Sequence, residues 1–309
     1  RLKHFRSRPN FGRSAQEWRP LPLSTSSWRI PKTTGGNKAG DGLHQLDSPC
    51  GVAVDPSDGS FVIADCTNDR IVRWAWGAKE GIVVAGGNGT GDGLHQLDSP
   101  CGVAIGRDGT IVIGDCANHR VTAWALGAKE GRVVAGGSRG PDLCQLSSPN
   151  GVAVGRDGSV FVADIENDRV VRWAPGAPKG ELVAGGRGAG EDPSQLDGPC
   201  GVATTRSGDV VISERGSQVK NYRISRWAAG SACGTSVAGA HGHGGGLEQL
   251  DMPWGVVESP DGGFFVVDSG NHRVVFWGPD VQEGVVVAGG NGRGTRLDQL
   301  KSPCGIALA

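Results

Sequence analysis

Two sets of residues in this sequence have the types and the spacing needed for chemistry. An aspartate and an arginine recur five residues apart, and a cysteine recurs between Pro and Gly in a P-x-G motif. Carboxylate–guanidinium pairs can serve catalysis or hold a turn, and thiols can bind soft metals or form disulfides. The acid–base pairs are Asp65 with Arg70, Asp115 with Arg120, Asp164 with Arg169, and Asp268 with Arg273.

The repetition of these pairs favours a structural role over a catalytic one. A catalytic group is needed once, whereas a pair that holds a turn is needed in every copy of a structural unit. We therefore predict that the pairs are structural, that the chain has no catalytic residue and that it needs no cofactor. No nucleophile–base pair is visible elsewhere in the sequence.

A repeat of about 50 residues positions both sets. The segment QLDSPCGVAV at 45–54 returns as QLDSPCGVAI at 96–105, and related segments begin at 145, 195, 249 and 299. Each complete unit reads as four short strands: an apolar strand, a β-branched strand ending in an acid, a strand ending on Trp and a VVAGG-like strand. The sequence therefore predicts an all-β propeller of four-stranded antiparallel blades.

The number of blades follows from the ends of the chain. Five units are complete, and 303–308 supplies the first strand of a sixth. We predict six blades, with a closing blade that also takes its last strand from 28–36; a five-bladed ring with overlapping ends is the alternative. The predicted domains are a basic, disordered tail at 1–29 and a propeller at 30–309.

Glycine stretches such as GGNGTGDG at 86–93 separate the units. No helical pattern follows them, which argues against a phosphate-binding loop. They recur about every 50 residues, whereas the calcium-binding nonapeptide recurs every nine. We interpret them as sharp changes of direction between blades.

The combination of P-x-GVAV, an acid–glycine turn, (A/V)-D-x-x-N-x-R and a terminal AGG resembles the NHL-repeat family. Its most diagnostic copies are Asn118-His119-Arg120 and Asn271-His272-Arg273, and the resemblance covers about 30–309. It implies a propeller, usually of six blades, that binds proteins and sometimes RNA or peptides. Some relatives are enzymes, and some propellers of related architecture are lyases or lactonases with a channel metal, so the fold alone does not settle the function.

The P-x-G residue is expected to line one mouth of the central channel, because the first strand of each blade lies innermost. This slot holds Cys50, Cys101, Asn150, Cys200, Trp254 and Cys304. A zinc–thiolate bond is ~2.3 Å long, and we expect side chains of different blades to stand too far apart to share one ion. We therefore predict no metal site.

The first hairpin places cysteines near each other within a blade. With Val54 opposite Phe61, Cys50 falls opposite Asp65 and beside Cys66, and the second unit repeats the arrangement. The two pairs are Cys50 with Cys66 and Cys101 with Cys116. Each pair could form a disulfide or remain as reduced, buried thiols, depending on a compartment that the sequence leaves open.

Residues that are not repeated are the better candidates for recognition. The fourth unit has Ser213-Glu214 where others have Ala-Asp, and an extended segment RGSQVKNYRI follows. The candidate binding residues are Asn150, Trp254, Arg215, Lys220 and Tyr222. They favour a non-catalytic scaffold for a protein or peptide partner; the alternatives are an RNA-binding NHL domain and a propeller lyase or lactonase.

Charge and hydropathy bear on these alternatives. The net charge is −1, but residues 1–29 hold seven Arg or Lys and one acid, which leaves −7 on the rest. An acidic body disfavours RNA, although Arg107, Arg156 and Arg206 recur in one turn and could form a basic arc. No apolar stretch approaches the length of a membrane span, so we predict a soluble chain without membrane insertion.

Overall fold

The structure is a computed structural model, and it describes residues 38–219 and 221–308. Its strands form five four-stranded antiparallel sheets, each with its strands in chain order. The prediction of an all-β propeller is confirmed. The predicted tail at 1–29, the strand predicted at 28–36 and Lys220 lie outside the described residues.

The five sheets are the blades. Blade 1 holds β1 (Pro49–Val54), β2 (Phe61–Asp65), β3 (Arg70–Trp74) and β4 (Ile82–Gly86). Blade 2 holds β5 (Pro100–Ile105), β6 (Ile111–Asp115), β7 (Arg120–Trp124) and β8 (Arg132–Gly136). Blade 3 holds β9 (Pro149–Val154), β10 (Val160–Asp164), β11 (Arg169–Trp173) and β12 (Glu181–Gly185). Blade 4 holds β13 (Pro199–Thr204), β14 (Val210–Arg215), β15 (Tyr222–Trp227) and β16 (Thr235–Ala238), and blade 5 holds β17 (Pro253–Glu258), β18 (Phe264–Asp268), β19 (Arg273–Trp277) and β20 (Val285–Gly289).

Alternating apolar residues bury both faces of each blade. Val62 and Ala64 of β2 pack with Ile111 and Trp124 of blade 2, whereas Ile63 packs on the other face of blade 1. Further apolar clusters join blade 2 to blade 3, blade 3 to blade 4 and blade 4 to blade 5. The tryptophans that end the third strands are only 1–2% exposed; they are Trp74, Trp124, Trp173, Trp227 and Trp277. Neighbouring sheets thus supply each other's core.

Six inner segments surround the channel, although the described residues form five complete blades. Each P-x-G glycine faces a carbonyl oxygen of the next inner segment, so closely that a Cβ would collide with it. Gly255 faces Cys304 in this way, and Gly305 faces Cys50. The segment 304–306 therefore closes the ring between blades 5 and 1, and the structure shows five blades where six were predicted. The predicted strand at 303–308 has no sheet partner among the described residues.

The two ends of the ring differ. One end carries the turns between the second and third strands and the glycine linkers between blades, because β1 begins where β2 ends and β4 ends beside the start of β3. We call this end the linker face. The opposite end carries the other turns, including those of Arg107, Arg156 and Arg206, and we call it the turn face.

Candidate functional site

The Asp and Arg of each repeat hold the incoming linker, as blade 2 shows. Asp115 is fully buried at the end of β6. Its Oδ2 accepts hydrogen bonds from Nε of Arg120 at 2.7 Å and from Nδ2 of Asn118 at 3.0 Å, and its Oδ1 accepts from the Asp98 amide. The remaining donors of Arg120 and Asn118 go to linker carbonyls, those of Gly91, Asp92, Gly93 and Gln96. We call this arrangement the linker cage.

The same cage recurs in every described blade. An arginine Nε lies 2.7 Å from the aspartate Oδ2 in blades 1, 3 and 5, in the pairs Arg70–Asp65, Arg169–Asp164 and Arg273–Asp268. Burial raises the pKa of Asp115, Asp164 and Asp268, and the hydrogen bonds from their Asn and Arg partners oppose that rise. Because both carboxylate oxygens are occupied inside the protein, these acids are placed to fix the linker rather than to meet a substrate.

Blade 4 builds the cage around a glutamate. Oε1 of Glu214 accepts hydrogen bonds from Arg223 at 2.8 Å and from Ser225 at 2.7 Å, and Oε2 accepts from Asn221 at 3.0 Å. Arg223 reaches the linker carbonyls as its counterparts do. Burial raises the pKa of Glu214 to about 7, and the charge of Arg223 only partly offsets this.

Glu214 should make stability depend on pH. Because its pKa rises from 4.5 unfolded to about 7 folded, the folded chain binds more protons between these values. Stability from this group is therefore complete below about pH 4.5 and is lost as pH rises towards 7, by up to ~3 kcal/mol. Urea unfolding of wild type and Glu214→Gln across this range should show the wild-type advantage shrinking with rising pH; a constant difference would contradict the raised pKa.

In blades 1, 2, 3 and 5, the residue between Asn and Arg of the repeat motif joins neighbouring blades. It adopts a left-handed conformation, with φ of 49° at Asp69, 51° at His119 and 55° at His272. Its side chain accepts a hydrogen bond from a backbone amide about thirty residues on, as from Ser99 to Asp69 at 2.8 Å. The other contacts of this kind are Ser148 to His119, Gly198 to Asp168 and Ser302 to His272. Asp and His alternate here because both offer an acceptor atom.

The P-x-G residues line a cavity of about 80 Å³ at the channel, as predicted from their place on the innermost strands. The expectation that side chains of different blades stand too far apart to share one ion is wrong for blades 1 and 2. The sulfur atoms of Cys50, Cys66 and Cys101 all lie within 4.8 Å of one another. Adjacent inner segments touch at their glycines, which brings the side chains beside those glycines together.

The predicted register of the first hairpin is wrong by one residue. Val54 does pair with Phe61, but Pro49 rather than Cys50 pairs with Asp65. A β-bulge between Pro49 and Val52 adds the extra residue, and blade 2 repeats it between Pro100 and Val103. Bulges leave a residue unpaired and redirect its neighbours.

The predicted cysteine pairs are nevertheless close together. The Cys66 thiol interacts with those of Cys101 and Cys50, and the Cys101 thiol interacts with that of Cys116. Hydrogen bonds, first from Cys101 and then from Cys50, lower the pKa of Cys66 to about 3. All eight cysteines are free in this structure, so the disulfides stay a prediction.

The extended turn of blade 4 is folded around Asp197. This carboxylate is fully buried and accepts hydrogen bonds from Oγ of Ser217 and from the amides of Gln218 and Val219 at 2.8–3.0 Å. Sequence reasoning missed Asp197, because the same aspartate recurs before P-x-G in other units. The longer turn that follows was the available signal.

A pocket of about 530 Å³ opens on the linker face between blades 3 and 4. Arg139 and Glu166 form one side and pair at 2.9 Å. Arg215 and Gln218 of the extended turn also line it, and Gln218 donates to Asp168 at 3.0 Å. The pocket thus contains one neutralised ion pair and one further cation.

Arg215 connects this pocket to the channel mouth. Its guanidinium stands 5.8 Å from the ring centroid of Trp254, which is half-buried at the channel. Within residues 38–219 and 221–308, no carboxylate lies within ion-pair distance of Arg215. The structure therefore brings together two of the five predicted binding residues.

The other predicted binding residues lie elsewhere. Asn150 is buried at the channel, with 6% of its surface exposed. Tyr222 packs against the core shared by blades 4 and 5, and its ring lies 5.0 Å from that of His243. Neither side chain lines the pocket between blades 3 and 4.

Comparison with known families agrees with this architecture. The family model described as NHL repeat matches residues 250–275, which span the start of blade 5 and its Asn271-His272-Arg273 motif. The chain is a β-propeller, and residues 250–275 match the NHL repeat. No curated protein sequence matches it.

Solved structures similar to this chain share its propeller fold at low sequence identity. A chain of a nidogen/laminin complex has a TM-score of 0.61 at 16% identity, covering 85% of each chain. A gluconolactonase from Xanthomonas campestris has a TM-score of 0.58 at 16% identity, covering 78% of the propeller and 76% of its own chain. Virginiamycin B lyase from Staphylococcus aureus has a TM-score of 0.52 at 15% identity, covering 87% and 78%. In the described part of the chain, no helix has the length and apolar character needed to cross a membrane.

Proposed function

We propose that this propeller is a non-catalytic scaffold whose linker face binds a carboxylate-bearing segment of a protein or peptide. The observation that carries this proposal is Arg215, a partly buried guanidinium that lines a pocket, stands over Trp254 and has no acidic partner among the described residues. A guanidinium of this kind binds carboxylates through two parallel hydrogen bonds. The indole beside it offers an apolar surface to the same ligand.

The surroundings support a binding role over the metal-dependent enzyme alternative. A lyase or lactonase of the expected kind needs several His, Asp or Glu at the channel mouth. The slot at the mouth offers thiols, an amide and an indole, and the described His, Cys, Asp and Glu form one candidate metal group, which consists of thiols. These residues do not fit a centre of carboxylate and imidazole ligands.

The RNA alternative is also less well supported. Of the three turn-face arginines, Arg206 is hydrogen-bonded to blade 5. Its backbone amide donates to Glu258, and its guanidinium donates to the Pro260 carbonyl. Arg107 and Arg156 are exposed. Two exposed arginines on an acidic body make a weak site for a phosphate backbone.

A peptide-display selection with the purified chain tests the proposal. Selected peptides should be rich in Asp, Glu or a free C-terminal carboxylate, and amidation of that group should weaken binding. Arg215→Gln should weaken binding by about tenfold or more, since a hydrogen bond to a charged group contributes ~1.5–3 kcal/mol. Trp254→Ala should also weaken binding, because it removes the apolar surface beside Arg215. Fluorescence anisotropy measures the affinities.

Controls separate binding from folding. The matched variant Arg107→Gln removes an exposed arginine from the turn face and should leave peptide binding unchanged. The melting temperature of Trp254→Ala should change little; loss of folding would make Trp254 a core residue. Selected peptides without acidic groups, or tight single-stranded RNA binding that Arg107→Gln weakens, would count against the proposal.

A further inference from the structure

The thiol group at the channel mouth has no part in the proposed function. Sulfur atoms of Cys50, Cys66 and Cys101 lie within 4.8 Å of one another, and the Cys101 thiol also interacts with that of Cys116. Three thiols from two adjacent blades therefore meet at one point of the ring, and Cys116 adjoins them through Cys101. The pocket with Arg215 lies between blades 3 and 4, so the two sites have different walls.

The distances suit a metal ion bound by thiolates. A zinc ion ~2.3 Å from each sulfur in a tetrahedron holds the sulfur atoms ~3.8 Å apart. The sulfur atoms of Cys50, Cys66 and Cys101 already lie within 4.8 Å of one another, so these three need to move closer by at most about one ångström. Cys101 is 8% exposed, whereas Cys50 and Cys66 are half-buried, which leaves a path for an ion to enter.

The backbone holds the ligands in place. Cys50 and Cys101 lie on the inner strands β1 and β5, and Cys66 begins a short 3-10 turn directly after β2. Ligands on rigid, packed elements lose little freedom when they bind an ion. Soft sulfur ligands favour Zn²⁺ over Mg²⁺ or Ca²⁺.

We propose that Cys50, Cys66 and Cys101 bind one Zn²⁺ as thiolates, with Cys116 as the fourth donor. Each thiol gives its proton to solvent as its sulfur bonds to the ion, so binding releases up to four protons and involves no oxidation. The site joins blade 1 to blade 2 at the channel mouth. Binding weakens in acid, because protons compete with zinc for the sulfur atoms.

Blade 3 shows that the fold forms without cysteines at these positions. In blade 3 the two equivalent positions hold Asn150 and Ile165, and the inner strand there keeps the same form. Cys101→Asn therefore places at the central ligand position a residue that the fold already accepts in the next blade. The exposed Cys144 and Cys233 lie outside the group, so Cys144→Ser/Cys233→Ser is the matched control.

Titration of the reduced chain with Zn²⁺, and separately with Co²⁺, tests the proposal. We expect one ion per chain, release of protons into a weakly buffered solution and an intense thiolate-to-cobalt charge-transfer absorption. Cys101→Asn should weaken zinc binding by about 100-fold or more, because it removes the ligand that the other three thiols surround. The control variant should bind like the wild type. Urea unfolding midpoints show whether each variant is folded.

Four results would overturn the proposal. The reduced wild type could fail to bind zinc, or the cobalt spectrum could lack thiolate absorption. Folded Cys101→Asn could bind zinc as tightly as the wild type. If Cys101→Asn does not fold, the zinc affinity of the double variant Cys50→Asn/Cys66→Ile is measured in its place and tests the proposal in the same way. Peptide mapping of the chain isolated with zinc could show Cys50–Cys66 and Cys101–Cys116 disulfides, which would replace the metal site with the predicted crosslinks.

Discussion

Replacing Arg120 with methionine should lower the free energy of unfolding by about 3–5 kcal/mol. Arg120 is 6% exposed and Asp115 is fully buried, so removing the guanidinium leaves a buried carboxylate uncompensated. Three linker carbonyls lose their donors at the same time. Methionine keeps most of the aliphatic stem, so the loss reflects the missing hydrogen bonds and charge. Urea unfolding followed by circular dichroism measures it.

Arg172→Met is the matched control for this prediction. Arg172 pairs with Asp157 and Glu181 at the surface, where its acidic partners are more than half exposed. Exposed ion pairs contribute ~0–1 kcal/mol, so this variant should unfold near the wild-type midpoint. Equal effects of the two substitutions would show that the linker cage does not stabilise the ring as inferred.

Replacing Gly102 with alanine should destabilise the ring by about 3 kcal/mol, at the upper end of what one overpacked group costs. A Cβ at this position collides with the Asn150 carbonyl oxygen and lies 2.9 Å from the Val152 amide nitrogen. Both atoms belong to the backbone of the next inner segment and cannot rotate away. The collision can therefore be removed only if blades 2 and 3 move apart at the channel.

Gly278→Ala controls for the loss of a glycine. A Cβ there would contact Val281 at 3.7 Å, an ordinary van der Waals distance. We expect a change within about 0.5 kcal/mol, as for most surface substitutions. A Gly102→Ala variant that unfolds at the same denaturant concentration as Gly278→Ala would contradict the close backbone packing of the ring.

The repeat period and the strand pattern made the blades predictable from the sequence. In blade 1 the predicted strand ending in an acid is Phe61–Asp65 and the predicted strand ending on Trp is Arg70–Trp74, because β-branched residues alternate between two packed faces. The pairing of Cys50 was misplaced, since a bulge adds a residue without changing the apolar pattern on either side. Pairing the residues of a hairpin one to one from its sequence assumes that the β-ladder contains no bulge.

Contacts between blades could not be derived in the same way. The sequence shows NDR and NHR as equivalent, but only coordinates show that Asp69 or His119 accepts an amide hydrogen bond from the following blade. The convergence of Cys50, Cys66 and Cys101 also depends on how closely two inner strands approach. Arg215 and Trp254 were chosen because they are not repeated, and that criterion gave no indication that they stack together.

The linker cage of blade 4 survives although its turn is longer than those of the other blades. Glu214, Asn221 and Arg223 still form the hydrogen bonds of the linker cage. The extra residues of the turn fold around Asp197 instead. The length of this turn can therefore change without affecting how the ring closes. The corresponding turns of the other blades are suitable places to insert recognition sequences. A propeller built this way can acquire a new binding specificity by changing one surface turn at a time, while the inner strands and the linkers that close the ring stay the same.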